Sequence, residues 1–189
     1  LDTGMISFNT RAFSYNGNAM VPGPTIKVSP GDRLIITLIN DLGAETGTHV
    51  SNTMHWPNTT NIHTHGLHVD PYVDSIFVVV GPGQSHTYDM SIGSDHAPGM
   101  HWYHAHRHGS STLQIMGGLF GALEIAPTAN SGIPAELSAM TSYTVVMHHL
   151  KFDNETKDGE ISQGCGNYLS APFNPFRVYS YTELSDEMN

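Results

Sequence analysis

Short runs of apolar residues, some alternating with polar ones and some unbroken, are cut by glycine and proline over most of this chain before residue 127. The clearest run is Arg33-Leu-Ile-Ile-Thr-Leu-Ile-Asn40. It is apolar on both faces apart from Thr37 and its ends, which predicts a strand in the middle of a sandwich. Thr25-Ile-Lys-Val28 lies between two turn signals, Pro22-Gly-Pro24 and Pro30-Gly-Asp32, and predicts another strand. Further strands are expected over 6–9, 61–67, 74–80, 85–92, 100–104 and 119–125. Helical periodicity is scarce, and a short helical turn over 111–116 is the best candidate. Residues 128–142, Pro- and Ala-containing, predict a linker with one helical turn. The run Tyr143-Thr-Val-Val-Met-His-His-Leu150 predicts one more strand, and the polar, Gly- and Asn-rich remainder has no strong period. The pattern is that of an all-β sandwich or barrel. It divides into a first domain at 1–127, a linker at 128–142, and the opening of a second, incomplete domain at 143–189.

Composition narrows the partners. Of 189 residues only seven are Lys or Arg, and the formal net charge is −10, so there is no basic footprint for nucleic acid or an anionic membrane. No apolar run approaches the ~20 residues of a membrane-spanning helix. The chain begins at Leu1 without a signal segment, which reads as a processed or excised piece. One cysteine, Cys165, excludes an internal disulfide framework. The triplets Asn58-Thr-Thr60 and Asn154-Glu-Thr156 are acceptor sites for N-glycosylation and would suit a secreted eukaryotic protein.

Histidine is what changes the reading. Seven of the 13 histidines fall in two clusters: His63, His65 and His68 in Asn61-Ile-His-Thr-His-Gly-Leu-His68, and His101, His104, His106 and His108 in His101-Trp-Tyr-His-Ala-His-Arg-His-Gly109. Each holds a His-x-His pair in a strand-favouring run, and residues i and i+2 of a strand share one face. A single strand histidine is ordinarily a surface or core residue. Two such pairs can converge their imidazoles on one or more metal ions, and imidazole suits copper, zinc, iron or nickel alike. His101, three positions before His104, falls on the opposite face. His49, His55, His86 and His96 carry no signal, and His148 and His149 are most simply strand residues. Trp102 and Tyr103 beside the histidines are expected to pack and hold the imidazoles. Met90, Met100 and Met116, scattered in spacing, are expected as core filling.

The motif Thr60-Asn-Ile-His-Thr-His-Gly-Leu-His68, then Pro82-Gly-Gln84, Tyr88, Gly99-Met-His-Trp-Tyr-His-Ala-His-Arg-His-Gly109 and Gly117-Gly-Leu-Phe-Gly-Ala-Leu-Glu-Ile125, resembles the N-terminal cupredoxin domain of multicopper oxidases, the laccase-like enzymes. Tyr15-Asn-Gly17, Pro22-Gly-Pro-Thr-Ile26, Pro30-Gly-Asp32 and Asn40-Asp-Leu42 also fit, so the resemblance covers about residues 10–126. Tyr143–Leu150 resembles, more weakly, the first strand of a second domain. The resemblance implies a cupredoxin-like Greek-key β-sandwich and a secreted protein, extracellular or periplasmic. It implies that His63 binds a type 2 copper while His65, His104 and His106 bind a type 3 pair, together half of a trinuclear cluster that reduces dioxygen to water. It implies that Asp74 feeds protons to the cluster, although a turn-capping role is as natural for that residue. His68 and His108 are expected nearby without ligating.

The family's type 1 copper needs a cysteine followed closely by a histidine, and no histidine follows Cys165. The type 1 site and the other cluster ligands are therefore expected on missing C-terminal cupredoxin domains or another chain, together with the site for a reducing substrate of unknown identity. Two alternatives stand beside this: a lone copper-binding cupredoxin module without oxidase activity, and a zinc hydrolase or lyase built on His-x-His.

Overall fold

The computed structural model describes residues 10–45, 54–129, 131–148, 152–157 and 160–163. Phe13–Tyr15 (β1) and Asn18–Met20 (β2) form a hairpin. Its two-residue loop, Asn16-Gly17, has φ of +50° and +79°, the left-handed pair of a type I′ turn that Asn-Gly adopts most readily. Gly23–Val28 (β3) and Arg33–Ile39 (β4) follow, then the three-residue strand His63–His65 (β5), Ser85–Ser91 (β6) and Gly99–His104 (β7). Helix α1 (Ser111–Gly117) leads into β8 (Phe120–Ile125), and a single turn, α2 (Ala135–Ser138), lies beyond. Phe152–Lys157 (β9) and Glu160–Gln163 (β10) make a last hairpin.

Four strands form one sheet in the order β3-β8-β7-β5, with β3 and β8 parallel and the other pairs antiparallel. A ribbon of β4 and β6 runs antiparallel from Arg33 opposite Ser91 to Ile39 opposite Ser85. Val28, Tyr103, Leu123 and Ile125 of the sheet meet Leu38, Tyr88 and Met90 of the ribbon in one core, joined by Ile62 and Val80. This is a two-layer, all-β sandwich.

Two tyrosines lock the layers. The Tyr103 hydroxyl donates to the Pro24 carbonyl at 2.7 Å, and the hydroxyl end of its ring lies against Gly121, where a Cβ would come within 2.3 Å of it. Tyr88 accepts the Ile62 N–H at 3.0 Å; burial pushes its hydroxyl up to about 12, so it stays neutral.

Several sequence expectations change. The apolar run of β4 was expected mid-sandwich, but only alternate residues face the core, and Ile35 and Ile39 are 55% and 62% exposed. Among the described residues β6 is the one strand neighbour of β4. Residues 74–80 are not a strand. Asp70 caps a turn, accepting the Tyr72 N–H at 2.9 Å, and Ser75 makes the next one. The Asn61 side chain occupies the Ile76 and Val78 carbonyls in place of a ladder, leaving one bridge between Thr60 and Val80. The strand expected over 61–67 is cut to 63–65 because Gly66 turns away at φ +89°. Residues 143–148 form no regular element, and the expected strand at 6–9 lies outside the described residues, as do 149 and 150.

Candidate metal centre

Strand register builds the site. In the β5–β7 pair His63 stands opposite His104 and His65 opposite Trp102. Thr64 and Tyr103 point into the core, the Thr64 hydroxyl reaching the Met90 sulfur at 3.7 Å. Alternation then places His63, His65, Trp102 and His104 together on the outer face. Ring centroids of His63, His65 and His104 are 5.4 to 5.8 Å apart. One donor nitrogen from each lies within 4.8 Å of the others, the one such group of metal-capable side chains among the described residues.

His106 lies past the end of β7 rather than on it. Its N–H donates to Asn61 Oδ1 at 2.7 Å, and the same Asn61 amide holds the 76–78 loop. That contact brings the His106 ring to 5.3 Å from His63 and 5.6 Å from His104. Asn61, fully buried, is a positioning residue that the histidine spacing did not reveal. Its signal is its place at the head of the first histidine cluster.

Protonation favours ligation. His104 Nδ1 bonds the Ala105 carbonyl at 2.9 Å, so the proton belongs on Nδ1 and Nε2 carries the lone pair. His65 Nδ1 faces that Nε2 at 3.2 Å. Burial first, then the neighbouring imidazoles of His63, His106 and His65, lower His104 to about 4, against the raising effect of the Ala105 bond. The ring is therefore neutral, as a metal ligand must be. Trp102 stacks on His104 at 4.1 Å and on His65 at 5.1 Å. It holds the imidazoles as expected, yet it is 37% exposed; of the two aromatics only Tyr103 is in the core.

Asp74 is buried and accepts the Thr64 N–H at 3.0 Å. Its Oδ2 lies 2.9 Å from His63 Nδ1, within ion-pair reach but off the line of a good hydrogen bond. His63 Nδ1 and His106 Nδ1 are both buried without a hydrogen-bond partner. A buried ring nitrogen is rarely left so; His106 Nδ1, beside a converging imidazole triad, fits a site shaped for metal, while His63 Nδ1 faces Asp74. An all-imidazole donor set with an orienting carboxylate behind it suits copper.

The remaining histidines separate. His68, His96 and His101 gather in a second group, His101 on the core-side face of β7 with Tyr103 as the odd spacing predicts. His108 is exposed, 6.2 Å from His106 and 5.9 Å from the Phe77 ring. His148 packs on Phe120 and His86 on Tyr88. Met90 is core, but Met100 is exposed. His49, His149 and Cys165 lie outside the described residues.

A sequence profile described as multicopper oxidase matches residues 5–56 and 43–130. The chain is 30% identical over 173 residues to a multicopper oxidase of Staphylococcus haemolyticus, covering 88% of this chain and 34% of that protein. It is 32% identical over 137 residues to a laccase of Aspergillus fumigatus, covering 65% of this chain and 20% of that one. Among solved structures, a multicopper oxidase from Campylobacter jejuni described as a metallo-oxidase is 34% identical, covers 60% of this chain and 21% of its own, and superposes with a TM-score of 0.47. The chain thus spans about a third of the length of the staphylococcal relative.

Proposed function

This chain belongs to the multicopper oxidase family, and from that premise we propose that its histidine face supplies part of a copper cluster at which dioxygen is reduced to water while a reducing substrate is oxidised elsewhere in a longer protein. The convergence of His63, His65 and His104 nitrogens within 4.8 Å carries the reading. His63 would hold a type 2 copper, and His65, His104 and His106 a type 3 pair. Bound there, copper supplies the one-electron steps that dioxygen reduction requires.

The chain's own residues set up that chemistry. Asn61 fixes His106, Ala105 fixes the His104 tautomer, and Trp102 clamps His65 and His104. Asp74 sits against His63 Nδ1, where it orients the ring and can hold a proton at Oδ2 for the site. No histidine follows Cys165, so we assign the type 1 copper, the remaining cluster ligands and the electron-donor site to further cupredoxin domains or another chain. We place the complete protein outside the cytoplasm, extracellular or periplasmic. Family membership sets aside the zinc hydrolase alternative.

A lone copper-binding module has one observation in its favour: three donors within a single ion's reach. Stoichiometry separates the two readings. Titration of the chain with copper, followed by electron paramagnetic resonance, should show imidazole-coordinated copper that His104→Ala weakens about a hundredfold or more. Binding unchanged in His104→Ala and His65→Ala would overturn both readings. More than one ion per chain held by the four histidines favours the cluster; a single ion, with no activity even when the longer polypeptide is restored, favours the module.

A further inference from the structure

Three histidines that copper binding leaves unused, His68, His96 and His101, meet beside the turn that ends β5. His96 is 7% exposed, and both its ring nitrogens are committed. Nε2 accepts the His68 N–H at 3.1 Å, which puts the proton on Nδ1, where it donates to the Ala97 carbonyl at 2.9 Å. A protonated ring has no lone pair for the His68 amide, so the bond exists only with neutral imidazole. The His101 ring, from β7, stands edge-on to His96 at 5.6 Å. Its Nδ1 closes on Gly66 so tightly that a Cβ there would lie 2.8 Å away, at a φ of +89°. His96 and His101 therefore brace residues 66–68, the turn directly following His65.

The groups facing His96 are the His68 ring from this turn and the His101 ring from β7. No carboxylate is within ion-pair reach of the three rings among the described residues. Asp95 turns its carboxylate back on Gly93, and Asp70 is occupied by the Tyr72 amide. Burial, then His96 and His68, hold His101 below the ordinary imidazole range. A proton entering this group meets imidazoles and no counter-charge.

We propose that His96 is a positioning residue, a neutral-imidazole latch on the turn after His65, which acid opens so that the turn, and one wall of the histidine face, comes loose. Its consequence for copper rests on the reading above, but the latch is tested without metal, so its failure leaves the copper titration standing and the converse also holds.

The test is amide hydrogen exchange at His68 in the metal-free full chain, corrected for intrinsic rates, between about pH 5 and pH 8. Loss of the one hydrogen bond should speed exchange about tenfold on acidification, with the midpoint at which nuclear magnetic resonance shows the His96 ring titrating. His96→Gln keeps an acceptor that does not titrate and should flatten this profile; His96→Phe should remove the protection at every pH. Unchanged protection in the wild type, or a wild-type profile retained in His96→Gln, overturns the latch. Nitrogen shifts of the wild-type ring test it without any variant: a proton on Nδ1 at neutral pH supports it, and a proton on Nε2 overturns it.

Discussion

His104 is where folding and metal binding make the same demand on one side chain. The metal needs a buried, neutral imidazole, and burial among three other imidazoles makes the charged form costly there. Because the folded value, about 4, lies below the ~6.5 of an unfolded chain, the contribution to stability is fully present above about pH 6.5. It is lost progressively as pH falls toward 4, since the unfolded state takes up the proton first. Denaturant unfolding of the metal-free protein across that window should show a slope that His104→Gln reduces by on the order of one proton; an identical slope in the variant would show that His104 is not the group. Asp74 offers a second residue-scale test. Asp74→Asn keeps the shape but loses the charge behind His63, and copper affinity should fall about 10- to 100-fold in a competition titration. Asn58 bears on the glycosylation triplets. Its Nδ2 donates to the Gly43 and Ala44 carbonyls, its Oδ1 accepts from Arg11 at 2.7 Å, and Thr59 and Thr60 are buried. A glycan on Asn58 would undo this network, so peptide mapping should recover Asn58 unmodified.

Elements show what the sequence pattern could and could not carry. The strands that were legible, β3, β4, β6, β7 and β8, are those whose alternation or apolar run spans at least four residues, or is bracketed by turn signals as β3 is. The β1–β2 hairpin has three-residue arms, too short for periodicity, and only its Asn16-Gly17 turn announces it. The segment 74–80 looked like a strand because Ile76-Phe-Val-Val-Val80 is an unbroken β-favouring apolar run. Its carbonyls are taken by Asn61, a long-range contact that no local window contains. The site divides the same way: His-x-His spacing on paired strands exposed His63, His65 and His104, while Asn61 and the His96 latch depend on residues brought together only by folding. Glycines complete the account. Tyr103 reaches the core by lying against Gly121, so Gly121→Ala should destabilise by about 1–3 kcal/mol through overpacking, read from its urea midpoint. A Tyr103→Leu background, with the ring gone, should absorb much of that loss.

At the scale of the whole molecule, the histidine face also carries exposed apolar side chains. Trp102 and Met100 lie on it, and beside it the 143–148 segment, with Tyr143, Val145 and Met147 exposed, borders a 660 Å³ cavity against β7 and β8. Exposed apolar surface of this kind marks a contact site. On the proposed reading this chain would supply half of the ligands of a trinuclear cluster, and the chain spans about a third of its staphylococcal relative. If the proposed reading holds, this face is where the remaining ligands would have to arrive, on a longer polypeptide or another chain. No helix among the described residues is long and apolar enough to cross a membrane. The isolated chain should then bind copper without turning over. At a hundred times its dissociation constant, copper would add about 3 kcal/mol to stability, seen as a rise in thermal midpoint of a few degrees or more. Restoring the longer polypeptide should tighten that binding, shift Trp102 fluorescence toward the blue as the face is covered, and bring oxygen consumption with a reducing substrate. Full oxygen consumption by residues 1–189 alone would mean that the four histidines need no partner, and that reading would have to be given up.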